Sequence, residues 1–162
     1  MANILYMAIS QDGFIAGLED ETPWSNASWE SFEKFVLSCD VVLLGRRTFA
    51  IMRAQNEFVK GPKYIVVTED THLDTNGLKT LNIRSASDVP QASRVGIIGG
   101  GELNGRLALL GVIDEMILDI EPVKLHEGIP LFGSYDVPLT LALLGSQQLG
   151  EATVQRHYQV IR

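Results

Sequence analysis

One cysteine, Cys39, stands in 162 residues, so the chain holds no internal disulfide, and its thiol economy points to a reducing, cytoplasmic compartment. Three histidines, His72, His126 and His157, are scattered without the spacing of metal ligands and read as surface or loop residues, so no metal site is expected. Basic residues are scarce: 13 Lys and Arg face 20 Asp and Glu, a net charge of −7. Such a surface repels phosphate backbones and anionic membranes at long range, which argues against nucleic acid or a membrane as partner. The first apolar run, Ile4 to Ile9, is far shorter than the ~20 residues of a membrane span, and no Lys or Arg precedes it.

What is present is an ordinary globular composition, 46% hydrophobic and 20% charged, at a length that suits one domain over 1–162. Ile4 to Ile9 reads as a strand followed by an Asp12-Gly13 turn. Trp29, Phe32, Phe35, Val36 and Cys39 recur at three and four, the signature of a helix face, with Asn26 or Ser28 as cap. Val41 to Leu44, Tyr64 to Val67 and Val95 to Ile98 are continuous apolar runs suited to strands covered on both sides. A helix over Thr48 to Gln55 follows the first of these. Leu103, Leu107 and Leu110 mark another helix, ended by Gly111. Strand, loop and helix in that order predict parallel pairing through crossovers.

The carboxyl end differs. Residues 115–121 and 154–160 alternate apolar with polar, and Leu139 to Leu144 with Thr153 to Ile161 read as an antiparallel hairpin. The expected architecture is an α/β fold with an open, mostly parallel sheet and an antiparallel C-terminal edge hairpin. An exposed edge there allows a homodimer. Asp119 and Glu121 read first as an exposed strand face, with contact to a substrate as the alternative.

Two strand ends carry the chemistry. At Leu44-Gly45-Arg46-Arg47-Thr48, Gly45 permits a turn, Thr48 can cap a helix, and two guanidinium groups flank a helix N-terminus suited to anions. At Ile98-Gly99-Gly100-Gly101-Glu102-Leu103, three glycines remove the β-carbons that would block a pyrophosphate. Their spacing departs from the Rossmann dinucleotide fingerprint, so a different nucleotide-binding sheet is implied.

These motifs, with Ser10-Gln11-Asp12-Gly13-Phe14-Ile15-Ala16, Val112-Ile113-Asp114-Glu115, Ile120-Glu121-Pro122 and Glu127-Gly128-Ile129-Pro130-Leu131-Phe132, occur in an order that resembles the dihydrofolate reductase superfamily. Within it the chain looks like the carboxyl-terminal reductase domain of the bifunctional riboflavin-biosynthesis deaminase-reductase. The resemblance implies a three-layer fold and hydride reduction of a small heterocycle by NADPH, with NADH not excluded. The substrate would be a riboflavin-route pyrimidine, as for a 5-amino-6-(5-phosphoribosylamino)uracil reductase, or a related pterin. Dihydrofolate reductase itself and a non-catalytic nucleotide-binding module are the alternatives. Carried over by position, Ala8 and Ile15 would frame the nicotinamide. Gly45, Arg46, Arg47 and Thr48 would hold phosphates, Thr68 would lie near the adenosine ribose, and Gly99, Gly100, Gly101, Glu102 and Leu103 would cradle the pyrophosphate.

Ser10, Asp12, Trp24, Ser25 and Glu30 are the substrate-side candidates. Three positions depart from the family pattern. Trp29 stands where dihydrofolate reductases carry a pterin-binding acid, with Glu30 beside it. An acidic pair, Glu69-Asp70, follows Thr68. His126 occupies a place where the riboflavin reductases often have Gly, so a different local turn is expected.

Overall fold

Alternation along the central strands decides which residues face which layer. Residues 1–70 and 72–162 are described by a computed structural model of the chain. Eight strands form one sheet: β1 (Ala2–Ile9), β3 (Val41–Gly45), β4 (Lys63–Val67), β5 (Lys79–Leu81), β6 (Arg94–Ile97), β7 (Glu115–Ile120), β9 (Thr140–Leu149) and β10 (Thr153–Ile161). Their order is β5-β4-β3-β6-β1-β7-β10-β9. Pairing is parallel from β5 to β7 and antiparallel at β10 and β9. A small second sheet pairs β2 (Phe14–Ala16) with β8 (Ile129–Pro130). The predicted open sheet and edge hairpin are both present. The short strands β2, β5 and β8 escape the sequence pattern, because two or three residues show no measurable alternation.

Ile4 and Tyr6 of β1, Val42 and Leu44 of β3, and Tyr64 and Val66 of β4 form one core. They pack with Phe35 and Val36 of α1 (Asn26–Leu37) and with Phe49 and Met52 of α2 (Arg46–Gln55). Leu5, Val41, Leu43, Ile65 and Val67 point the other way and meet Leu103, Leu107 and Ala108 of α3 (Gly101–Leu109). The two-residue period of a strand thus splits one sequence into two apolar faces, and helices cover both. This is the expected three-layer arrangement.

Local details differ from the sequence reading. The cap of α1 is Ser25, whose side chain accepts the Ser28 amide, and neither Asn26 nor Ser28 caps it. Helix α2 starts at Arg46 with Gly45 as its cap, so both arginines lie in its first turn and Thr48 is already inside the helix. Strand β7 lies between β1 and β10, and of its acids Asp119 is buried while Glu115 is partly exposed. His126 adopts φ 66°, the left-handed conformation that glycine takes without strain. Edge strand β9 exposes Leu141, Leu143 and Leu144. Among the described residues, no helix is long and apolar enough to cross a membrane.

Candidate functional site

Neighbouring strands β3 and β6 send their chains to opposite faces of the sheet: β3 runs into α2 and β6 into α3. A crevice opens where two parallel strands diverge in this way, beyond their carboxyl ends, and it is where open α/β sheets bind ligands. Here it widens into a cleft of about 940 Å³. The Gly45 amide donates to the Gly99 carbonyl at 2.8 Å and ties the two turns together. Neither α2 nor α3 has a side chain bonded to its first-turn amides, because their caps are Gly45 and Gly100. Two helix N-termini therefore bring uncompensated N–H groups and partial positive charge to one wall of the cleft.

Arg46, Arg47, Thr48, Gly100, Gly101, Glu102 and Leu103 line this wall, as do Ala8 and Ile15 farther in. Arg47 is engaged by Asp20, whose Oδ2 accepts from Nε at 3.0 Å and Nη2 at 2.8 Å. Arg46 is exposed and has no ion pair among the described residues. The Glu102 carboxylate is engaged by Ser134, accepting its amide at 2.8 Å and its hydroxyl at 2.9 Å.

The glycine run does not act as a single cradle. A β-carbon on Gly101 would fall 2.6 Å from the Pro130 carbonyl oxygen and 2.8 Å from the Gly133 nitrogen. Its bareness admits the backbone of residues 130–133, and Gly105, one turn later, admits Phe132 and Tyr135 in the same way. A β-carbon on Gly100 would meet only Thr48 Oγ1, at 3.4 Å. Gly100 is thus the member of the run whose missing side chain keeps the cleft wall open. Gly99 stands behind that wall and does not line the cleft.

The opposite wall is α1 with the segment leading into it. Trp24, Ser25, Asn26, Ser28, Trp29 and Phe32 line it. Glu30 is exposed and turned away from the cleft. Ser10 and Asp12 also stand outside it. The Ser10 hydroxyl donates to Asp12 Oδ1 at 2.6 Å, while the amides of Leu125 and His126 donate to the same carboxylate at 3.1 and 2.8 Å. Those bonds, the Ser10 hydroxyl foremost, hold the Asp12 carboxyl down to about 2. Asp12 is thereby a latch between two loops. Thr68 is buried with its hydroxyl accepting the Asp70 amide at 3.0 Å, and it too does not line the cleft.

The expectation that Asp119 and Glu121 form an exposed face is overturned, since Asp119 is fully buried and Glu121 nearly so. Asp119 on β7 and Glu121, one residue past its end, both point toward the start of α1. Asp119 Oδ2 accepts the Tyr6 hydroxyl, and the Ser28 hydroxyl at 2.7 Å, while Oδ1 accepts Gln155 Nε2 at 2.8 Å. Burial pushes the Asp119 carboxyl up from its ordinary value, and the three donors pull it partly back. Glu121 accepts the Ser25 hydroxyl at 2.8 Å and the Thr153 hydroxyl at 3.1 Å. Tyr6, Ser28, Trp29 and Phe32 are cleft residues that sequence reasoning did not single out as contacts. The legible signal was the pair of acids two apart on a strand; what hid their burial was the position of β7 inside the sheet.

No family model matches the chain. It is 30% identical to the uncharacterized protein YwjB of Bacillus subtilis (strain 168), over 96% of this chain and 95% of that one. Its fold matches that of a Shewanella sp. PV-4 protein ascribed to riboflavin biosynthesis, with a TM-score of 0.86 at 21% identity over all of both chains. It also matches Enterococcus faecalis dihydrofolate reductase, complexed with NADP(H) and RAB-propyl, with a TM-score of 0.74 at 18% identity, over 99% of this chain and 97% of that one. Bare helix ends at a strand divergence and three layers go with the fold that these structures share, a dihydrofolate reductase-like fold, and the chain belongs to one family with YwjB.

Proposed function

We propose that the protein is an oxidoreductase that uses NADPH to reduce a small heterocycle, a pyrimidine of the kind handled in riboflavin biosynthesis or a related pterin. One observation carries the reading: the two helix N-termini at the cleft that lack a side-chain cap, α2 and α3, converge where β3 and β6 diverge, opposite an aromatic wall. The first wall suits the phosphates of a dinucleotide, and the second suits a flat ring. The dihydrofolate reductase likeness, with its bound NADP(H), supports the choice of cofactor.

The residues present fit that group. Arg46, Thr48 and the bare edge at Gly100 would hold phosphate, with Arg47 joining if it leaves Asp20, while Ala8 and Ile15 would frame the nicotinamide. NADPH would supply a hydride, and the protein's part is to place the acceptor carbon within reach and to exclude water. Folate is the weaker substrate reading. Trp29 lines the wall where a pterin-binding acid would be needed, and an indole offers a ring nitrogen with one donor and no acceptor.

Titration of NADPH fluorescence, followed by addition of dihydropteridines and ribosylaminopyrimidines, tests the proposal. Micromolar binding with oxidation of NADPH by one of the pyrimidines is expected. Binding without turnover of any candidate would leave a nucleotide-binding module, and no binding below millimolar NADPH or NADH would end the reading.

A further inference from the structure

Reduction of a C=N bond needs two hydrogens of opposite kind. The carbon takes a hydride with its electron pair, and the nitrogen uses its own pair to form an N–H bond with a proton. The nicotinamide leaves oxidised, so the proton must come from elsewhere. Of the carboxylates that line the cleft, Asp20 holds Arg47 and Glu102 holds Ser134, while Glu57, past the end of α2, is pushed up by burial and is the competing proton source.

We infer that the Ser28 hydroxyl hands the proton to the substrate and draws its replacement from Asp119 buried behind it, an inference that rests on the reductive reading above. Ser28 lines the cleft, and its Oγ lies 2.7 Å from Asp119 Oδ2. The groups around Asp119 explain why it can hold a proton. Tyr6 faces it from β1, Ser28 from α1 and Gln155 from β10, with Ser31 of α1 held on Gln155, all uncharged. The nearest charged group along its own chain is Glu121, just past the end of β7 and also an acid, and farther along the strand Glu115 is paired with His157 at 2.5 Å. No Lys or Arg bonds to Asp119 among the described residues. Burial and a like-charged neighbour both favour the neutral acid.

The neutral acid has one good acceptor. Gln155 Nε2 spends its two N–H groups on Oδ1 at 2.8 Å and on Ser31 Oγ at 2.9 Å, which leaves the Tyr6 and Ser28 oxygens beside Oδ2; the phenol oxygen shares its lone pair with its ring and is the weaker acceptor, so the acid O–H turns to Ser28 Oγ. Ser28 then aims its own O–H into the cleft. As the substrate nitrogen takes that proton, the Ser28 O–H bond breaks and a new one forms with the proton of Asp119. The carboxylate left behind is held by Tyr6, Ser28 and Gln155 in the arrangement the structure displays. Water later restores the acid. Asp119 is a positioning and proton-holding residue, and Ser28 is the group that meets substrate.

Two measurements on the intact protein test this. Carboxyl carbon-13 NMR of aspartate-labelled protein, wild type and Asp119→Asn, locates the Asp119 titration. Rates of NADPH oxidation against pH are then taken with 5-amino-6-(5-phosphoribosylamino)uracil and with dihydrofolate as probes. One aspartate should titrate well above the ordinary ~3.9, and kcat/KM should fall as pH rises through that same midpoint. Ser28→Ala should lower kcat about 100-fold with KM little changed, and Ser28→Thr should recover most of it. Asp119→Asn should remove the alkaline limb; should that variant not fold, the Ser28 pair and the wild-type midpoint still decide. An ordinary Asp119 midpoint, an alkaline limb that survives Ser28→Ala, or a limb abolished by Glu57→Gln would each overturn the inference. Should the wild type oxidise NADPH with neither probe, the inference falls together with the reductive reading, and a raised NMR midpoint would show that the fault lies in that reading and not in Asp119.

Discussion

The two walls of the cleft treat the same problem in opposite ways. Every helix begins with amides that have no partner inside the helix. Helix α1 satisfies part of its set with Ser25, and that serine is itself anchored on Glu121 and Thr153. Helices α2 and α3 begin at glycine and satisfy none of theirs through side chains. A helix start closed by its own chain is a wall, whereas one left open at the rim of a cleft is a receptor for an outside anion. The buried carboxylates follow the same division, since Asp119 and Glu121 both stand behind the closed helix.

Substitutions can break or sharpen this contrast. Gly105→Ala should be the most damaging, because the new methyl would run into the Phe132 carbonyl and the Tyr135 ring. Overpacking of this kind costs about 1–3 kcal/mol, and thermal unfolding should shift down by several degrees. Gly100→Val, by contrast, should leave the unfolding temperature nearly in place and abolish NADPH binding. Loss of stability in both variants, with binding lost in neither, would erase the distinction between a packing glycine and a ligand glycine.

Ser25→Ala removes the cap of α1 and one donor to Glu121. A lost cap alone costs about 0.5–2 kcal/mol, read as a lower unfolding temperature without a change in NADPH affinity. Arg46→Ala should act in reverse, raising the NADPH dissociation constant roughly tenfold, by about 1.4 kcal/mol of a charge-assisted contact, with stability unchanged. NADH should be affected less if Arg46 meets the 2′-phosphate, and equally if it meets the pyrophosphate. Arg47→Ala should weaken NADPH less, since Asp20 already holds that guanidinium.

The smallest effect is one of pH. Asp12 has its folded value lowered to about 2 from an ordinary 3.8, so its contribution to stability is present above that ordinary value and is lost as pH falls from about 4 to about 2. Asp12→Asn should flatten the acid side of the unfolding-temperature profile. Asp119 carries the opposite sign, because its value is raised: it favours the fold at low pH, and that contribution is lost as pH climbs past the raised value. Asp119→Asn should therefore flatten the profile on the higher-pH side.

The central strands were legible because Val41 to Leu44 and Tyr64 to Val67 are apolar without a break, which only a strand covered on both faces tolerates. The wall of the cleft built on bare helix starts was legible for a similar reason, since Gly45 and Gly100 sit where strands end and helices begin. Ser25 was missed as a cap because Asn26 and Ser28 are equally good candidates by residue type, and only backbone geometry chooses among them. Thr68 and Ser10 were placed near ligand by their position in motifs, yet their hydroxyls are occupied by bonds to neighbouring loops.

Periodicity along the chain was therefore sufficient to determine the parallel core and the closing hairpin, because each depends on residues a few positions apart, while the three layers came from the family resemblance. Tertiary structure alone decided that Gly101 packs against residues 130–133, that Arg47 is held by Asp20, and that Asp119 lies in the dark behind Tyr6 and Ser28. Those outcomes join positions 27 to 113 residues apart. Which side chain is buried against which depends on strand order, and strand order is a property of the whole sheet that no short stretch of sequence contains.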